Sequence, residues 1–437
     1  MPTKSIDPSA ARFVTNVNFQ LGGGLKIFAS NLAELIRISI YESASWRGSN
    51  ENRESSYGGY VNRLGTTWRV YLLPAGVFQS LMIGGGYGTG REIVEYFTRY
   101  GIVGGLLGLT LVTACFAVLL ILSYEFARQF HVYDYRRFFR ALLGRGWMAF
   151  EVVYLAMFSL VLAVIAAASG RLVEECIHLP GTVGISGLLL LVVIFAFYGR
   201  EWVSRILAYK ALLLCAVFVA YFVIIAFRWG DSIAAQFANH QIGAGWSIAA
   251  LRYSLYSSVV IPTMLFATTA IETRQQAVVS GITSALAGVV PAALLHLSFG
   301  AKYPEVLSHE IPTYWMISSL VMPVLTAAYL VVLLGSLFDV GIGFVQSVNE
   351  RLDGWSIEAR GKRVTRLTRA GVGFLAVLVS GCLSLIGIVP LIAKGYGTMA
   401  YGFLLLFVAP LLTVGIYRLR RRSSVPPSVL SVSPDAN

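Results

Sequence analysis

Charge is scarce in this chain. Asp, Glu, Lys and Arg make up 13% of its 437 residues, about half of the roughly 25% usual in soluble domains, which excludes a single water-soluble core. Acidic residues are the scarcer kind, 22 against 34 Lys and Arg, leaving a formal net charge of +12. The basic residues stand between apolar segments and not along one face, which argues against a nucleic-acid footprint and assigns them to membrane topology. Cysteine is nearly missing too. Cys115, Cys176, Cys215 and Cys382 are isolated, mostly inside apolar segments, and form no CxxC pair, so they read as packing residues. The five histidines show no HExxH and no Cys/His cluster, and no metal site or cofactor is expected. A membrane-embedded enzyme would need converging nucleophile, base or metal ligands; none are visible, and no enzyme is expected. The amino terminus also lacks the short apolar core and small-residue site of a cleavable signal peptide.

What is abundant is apolar sequence. Hydrophobic residues reach 56% and mean hydropathy is +0.70. A bilayer core needs about 20 apolar residues per helix, which predicts ten spans in an all-α integral membrane protein. They run roughly Trp68 to Thr98, Ile102 to Phe126, Trp147 to Leu172, Val183 to Tyr198, Ile206 to Trp229, Trp246 to Ile271, Ile282 to Phe299, Trp315 to Val345, Ala370 to Pro390 and Ala400 to Tyr417. Trp68, Trp147, Trp202, Trp229, Trp246 and Trp315 lie at or near proposed span ends, where indole prefers the headgroup interface.

Basic residues concentrate in alternate connections. Arg128, Arg136, Arg137, Arg140 and Arg145 follow the second span, Arg200 and Arg205 the fourth, and Arg274 the sixth. Arg351, Arg360, Lys362, Arg363, Arg366 and Arg369 follow the eighth, and Arg418, Arg420, Arg421 and Arg422 the tenth. The positive-inside bias then predicts both termini in the cytoplasm.

Three regions follow. Residues 1–66 form an amino-terminal extension, either partly disordered or amphipathic through Leu25, Phe28, Leu32, Leu35 and Ile36. Residues 67–422 form the ten-helix domain, with repeats at 67–230 and 245–422. Residues 423–437 are Ser/Pro-rich and read as a disordered tail.

One stretch contradicts its surroundings. "IGGGYGTGREIVEYF", Ile83 to Phe97, places Gly84, Gly85, Gly86, Gly88 and Gly90 inside the first span, each costing about 1 kcal/mol relative to Ala in a helix interior. Unpaired backbone is tolerated at membrane depth only where protein or a water-filled cavity surrounds it, so a break there predicts a site. The alternative is a close helix-packing face, which uses glycines four apart as Gly101, Gly105 and Gly104, Gly108 do. Nucleotide motifs fail: G-x-G-x-x-G has no register, and Arg91 and Glu92 stand where a P-loop needs Lys and Ser/Thr.

A transporter built from inverted repeats would carry a second interruption five spans later. The sixth span reads "LRYSLYSSVVIPTML", where Ser254, Ser257 and Ser258 compete for backbone hydrogen bonds and Pro262 removes one. An ordinary Pro-kinked span is the alternative.

The segment "GGGYGTGREIVEYF", supported by "YSLYSSVVIP" and the ten-span pattern, resembles the first-span signature of the YkvI-type bacterial membrane proteins. These are related to the amino acid/polyamine/organocation (APC) transporters with the LeuT fold. The resemblance covers roughly Tyr71 to Tyr417. It implies a multi-pass protein of the bacterial inner membrane, a five-plus-five inverted repeat with helices one and six broken, and a solute site between them.

The expected substrate-binding residues are Gly84, Gly85, Gly86, Tyr87, Gly88, Thr89 and Gly90 with Tyr256, Ser257 and Ser258. Freed N–H groups at the break favour a carboxylate, and hydroxyls and carbonyls of the sixth span accept an ammonium, so an amino acid or related amine or zwitterion satisfies both. A nucleobase or polyamine stays open. Glu92 and Glu95 follow the break, and Arg91 can pair with Glu95, as a structural vestibule or with Glu92 as gate or proton carrier. Lys210 and Asp339, with Gly335 and Ser336 beside the latter, are intramembrane suspects. In the LeuT fold spans one, five and eight meet at a cation site. The resemblance thus implies that Lys210 replaces a coupling Na+ and pairs with Asp339, making transport H+-linked or uncoupled; Lys210 snorkelling to the interface is the alternative. The resulting expectation is a secondary transporter or symporter of small molecules in a lipid bilayer. A non-transporting sensor on the same fold, or a channel, are the rivals.

Overall fold

The computed structural model describes residues 67–85, 87–198, 200–240, 242–360 and 364–423. The amino-terminal extension, and the carboxyl tail beyond Ser423, lie outside the described residues. Among the described residues every regular element is helical, and the chain is an all-α, multi-pass membrane protein. Ile102–Phe130, Tyr135–Ile177, Ala216–Ala238, Arg274–Gly300, Pro323–Asp353 and Ile388–Arg422 are each long and apolar enough to cross a bilayer.

In chain order, the first span is α1 (Leu73–Gly85), entered through a wide π-type turn at Trp68–Leu72, followed by the short α2 (Arg91–Tyr96). Then come α3 (Ile102–Phe130), the amphipathic α4 (Tyr135–Leu143), α5 (Trp147–Ile177), α6 (Gly181–Tyr198) and α7 (Arg200–Ala238), which kinks at Trp229. The second half holds α8 (Trp246–Ser257), α9 (Val260–Thr263), α10 (Arg274–Gly300), α11 (Pro312–Ser318), α12 (Pro323–Arg360) and α13 (Arg366–Ser384). The last span, α14, covers 388–423 and alternates ordinary and π-type turns.

Local chemistry sets the boundaries, and several differ from those expected. The seventh span begins at Arg274 and not Ile282, because Thr273 and Gln276 form a reciprocal capping box. The eighth begins at Pro323, a favoured first-turn residue. Trp315 instead belongs to α11, separated by Val321 in the left-handed region at φ 57°. The ninth ends at Ser384; Gly387 turns at φ 94°, so the tenth begins at Ile388 and not Ala400, with Pro390 in its first turn. Asp134 caps α4, accepting from the backbone N–H of Arg136 and Arg137.

α10 is the centre of the packing, lying against both α1 and α3. Its His296 is fully buried, with Nδ1 2.9 Å from Thr98 Oγ1 and Nε2 2.9 Å from the Ile102 carbonyl. A Cβ at Gly105 would stand 2.2 Å from the His296 ring, so glycine there is what lets α3 approach. His296 is thus a fully bonded clamp at the α2–α3 turn. The outer surface is apolar: Phe227 is 89% and Val324 83% exposed, as lipid contact requires.

Candidate functional site at two broken spans

α1 stops at Gly85, and Gly86 lies outside the described residues. A single tight turn, Tyr87–Thr89, leads to Gly90 at φ 82°, ψ −10°, after which α2 begins. The first span is therefore interrupted where its glycines cluster. Only glycine takes the left-handed conformation at Gly90 without strain. α2 spans only six residues before Phe97 breaks it, so it is shorter than an uninterrupted span to Thr98 would give, and its dipole is correspondingly small.

The sixth span is interrupted at the matching place. α8 ends at Ser257; a four-residue helix containing Pro262 and a tight turn at Leu265–Thr268 follow, and Thr273 is extended. Hydroxyls turn back onto carbonyls along this segment: Ser254 Oγ to Ala250, Ser258 Oγ to Leu255, Thr263 Oγ1 to Val260 and Thr268 Oγ1 to Leu265, at 2.6–2.9 Å. Such bonds compete with the helical ladder and bend it.

The two interrupted spans touch through Tyr256, whose hydroxyl donates to Glu92 Oε2 at 3.0 Å. Both side chains are buried. Tyrosines surround them, with ring centroids of Tyr96, Tyr253 and Tyr396 at 5.3, 5.3 and 4.9 Å from that of Tyr256. Tyr96 donates to the Ile392 carbonyl at 3.0 Å, which ties α2 to the tenth span. Among the described residues the buried Tyr396 hydroxyl has no partner. One carboxylate thus sits in an aromatic enclosure assembled from three spans, a setting suited to a proton or an ammonium.

On the other side of the break, the Tyr329 hydroxyl of α12 donates to the Gly88 carbonyl at 3.0 Å. Beside it lies a cavity of about 10 Å3 lined by Gly88, Thr89, Ser336 and apolar residues including Val164 and Leu333, room for about one water. The Ser336 hydroxyl bonds the Val332 carbonyl at 2.8 Å. Tyr329→Phe leaves the buried Gly88 carbonyl without its donor and should cost about 1–3 kcal/mol, read as a lowered unfolding temperature.

The structure therefore brings Glu92 to Tyr256, and Gly88 and Thr89 to Ser336, while Ser258 Oγ is engaged with its own helix. Ser257 is buried at the end of α8. The side chains of Tyr87 and Lys210 are outside the described residues, so the pairing of Lys210 with Asp339 is too; Asp339 is half-buried on α12. Sequence reasoning missed Tyr96, Tyr253, Tyr329 and Tyr396. They sit in different spans with no shared local motif, and only folding brings them to the breaks.

Each end of the bundle is tied separately. At the α2 end, Arg91 Nη1 donates to the Leu307 and His309 carbonyls, both at 3.0 Å, and Nη2 pairs with Glu95 at 3.2 Å. Glu95 also pairs with Arg99. Arg171 of α5 grips both oxygens of Glu310 at 2.7 and 2.6 Å and pairs with Glu174 at 2.7 Å. At the opposite, arginine-rich end, Arg351 pairs with Glu151 and stacks over Tyr135 and Tyr154, 4.7 and 4.2 Å from their centroids. These contacts join α4, α5 and α12.

No protein-family model matches the chain, so the YkvI-type resemblance rests on the motif residues alone. No curated protein matches it either. Solved structures similar to it include a Na+-coupled sialic acid symporter in a substrate-bound outward-open state. That structure is 14% identical, with 81% of this chain and 86% of that one covered and a TM-score of 0.46. Another is the Eremococcus coleocola manganese transporter in complex with an aromatic bis-isothiourea substituted compound, 14% identical, covering 86% and 99%, with a TM-score of 0.37.

Proposed function

We propose that the chain is a secondary transporter that moves a small solute, an amino acid or related amine or zwitterion, by alternating access, with Glu92 carrying the coupled proton. The observation that carries this reading is the Tyr256–Glu92 contact between two interrupted spans. Irregular backbone at membrane depth is stable only around a cavity or protein, and paired interruptions in the first and sixth of ten spans suit a site between inverted five-span halves. Backbone at Gly84 to Gly90 is the proposed partner of a substrate carboxylate. The rings and hydroxyls of Tyr256 and the neighbouring tyrosines are the proposed partner of its ammonium. Tyr256, Ser257 and Ser258 supply hydroxyls and carbonyls on the facing side. The proposed Lys210–Asp339 pair, with Ser336 beside it, would take the place of a coupling cation, as the motif resemblance implies, and this supports H+ over Na+. Both termini are placed in the cytoplasm of the bacterial inner membrane by the arginine bias.

Uptake of labelled amino acids and amines into liposomes, driven by a pH gradient with sodium or choline as the salt, tests this. Saturable, sodium-independent uptake is expected. Glu92→Gln should abolish net uptake driven by the gradient while retaining substrate exchange. Gradient-driven uptake at the wild-type rate in that variant removes Glu92 as the proton carrier. Absence of uptake for every solute, with ligand-induced thermal stabilisation retained, replaces the carrier with a sensor; unitary current steps replace it with a channel.

A further inference from the structure

A second, larger cavity lies at the arginine-rich end of the bundle. It has a volume of about 460 Å3 and sits where the end of α3, the start of α10 and the last turns of α14 meet, within the range of small-molecule sites. Its polar wall is Glu125, Gln129, Arg274 and Arg420. Glu125 is already matched: Arg128 Nε and Nη2 donate to its two oxygens at 2.9 and 2.6 Å, and Gln129 Nε2 donates at 2.7 Å. Arg274 and Arg420 are exposed and have no hydrogen-bond or ion-pair partner among the described residues. The cavity therefore presents two guanidinium groups in excess of its carboxylate. Two unpaired cations beside a carboxylate that is already matched fit an anion.

The remaining wall decides where that anion comes from. Ile121, Val278 and Ile416 are apolar, and one turn further from the arginines Ile282 and Leu412 continue the path, 42% and 40% exposed on the lipid-facing surface. A free phosphate has no use for such a ramp; an acyl chain does. Arg418, Arg421 and Arg422 on the same turns add to the positive field that collects acidic lipid at a membrane surface.

We propose that this cavity binds an anionic phospholipid of the surrounding bilayer. Its phosphodiester lies between Arg274 and Arg420, and its chains run along Ile121, Val278 and Ile416. The bound lipid ties α3, α10 and α14 together at the arginine-rich end. This inference is independent of what the protein transports.

Delipidated full-length protein in detergent tests it, with phosphatidylglycerol as the probe and phosphatidylcholine and inorganic phosphate as comparisons, read by thermal unfolding and by native mass spectrometry. Phosphatidylglycerol should raise the unfolding temperature and remain bound, while the other two do neither. Arg274→Gln/Arg420→Gln should weaken phosphatidylglycerol binding at least tenfold; Arg145→Gln, on an exposed residue outside the cavity, should leave it within twofold. Arg420→Gln alone, on an exposed side chain, should weaken it at least threefold, and this variant decides if the double one fails to fold. Unchanged binding in the Arg420 and double variants overturns the proposal. Equal stabilisation by inorganic phosphate makes this a free-anion site, and equal stabilisation by phosphatidylcholine removes the role of charge; either result overturns it as well.

Discussion

Gly90→Ala is expected to lower the unfolding temperature of the purified protein by at least about 4 °C and to abolish ligand-induced stabilisation. The residue holds φ 82°, and a Cβ there would stand 2.4 Å from Thr313 Oγ1 and 2.6 Å from Phe299 Cζ. The left-handed conformation costs an L-residue about 1–2 kcal/mol, and overpacking against two well-packed neighbours adds about 1–3. Neither neighbour is the free end of a flexible side chain, since Thr313 and Phe299 are both fully buried. Gly76→Ala is the matched control. Nothing lies within 4 Å of its added Cβ, and in a helix alanine is favoured by about 1 kcal/mol, so the unfolding temperature should hold or rise. Equal effects at the two positions would refute the assignment of Gly90 as the pivot of the break.

The second large effect concerns Arg91. Its guanidinium reaches from α2 to two carbonyls of the connection between α10 and α11, with only 9% of the side chain exposed. Hydrogen bonds from a charged donor contribute about 1.5–3 kcal/mol each. Glu95 keeps Arg99 as a partner when Arg91 is replaced, so no carboxylate is stranded. In the proposed carrier, Arg91→Met should therefore shift the balance toward the state open at this end by at least about 3 kcal/mol, the lower figure for two such bonds, a factor of more than about 100 at 1.4 kcal/mol per tenfold. The readout is the labelling rate of a cysteine placed at Thr89, buried behind Arg91, in a background without the native cysteines. A rise of that size is expected with Arg91→Met; an unchanged rate would mean that the carbonyl contacts do not hold this end shut.

The breaks were visible in the sequence because they are local. A run of glycines wrapping a helix, and serines with a proline in a short window, defeat helical hydrogen bonding wherever they are placed. Arg91 and Glu95 could be paired from spacing alone for the same reason. Boundaries of the seventh to ninth spans were less legible, since hydropathy does not register a capping box at Thr273 or a left-handed turn at Val321. Least legible were the contacts at long range. Tyr329 to Gly88 crosses 241 residues and Tyr96 to Ile392 crosses 296, and an isolated tyrosine in an apolar span carries no mark of which carbonyl it will meet. The same holds for Arg171, whose i+3 partner Glu174 was inferable while Glu310, 139 residues away, was not.

The two ends of the bundle are fastened by interactions that answer to different surroundings. Arg171 and Glu310 are 47% and 30% exposed, and at a physiological screening length of about 8 Å dissolved salt weakens such a pair. Arg351, only 9% exposed and pressed on two tyrosine rings, is largely shielded from dissolved ions. Raising ionic strength on both sides therefore weakens the Arg171 tie at one mouth more than the Arg351 tie at the other, while the buried Arg91 contacts persist. In the proposed carrier, the composition of the medium then becomes a bias on which way the molecule faces, even when no solute gradient exists.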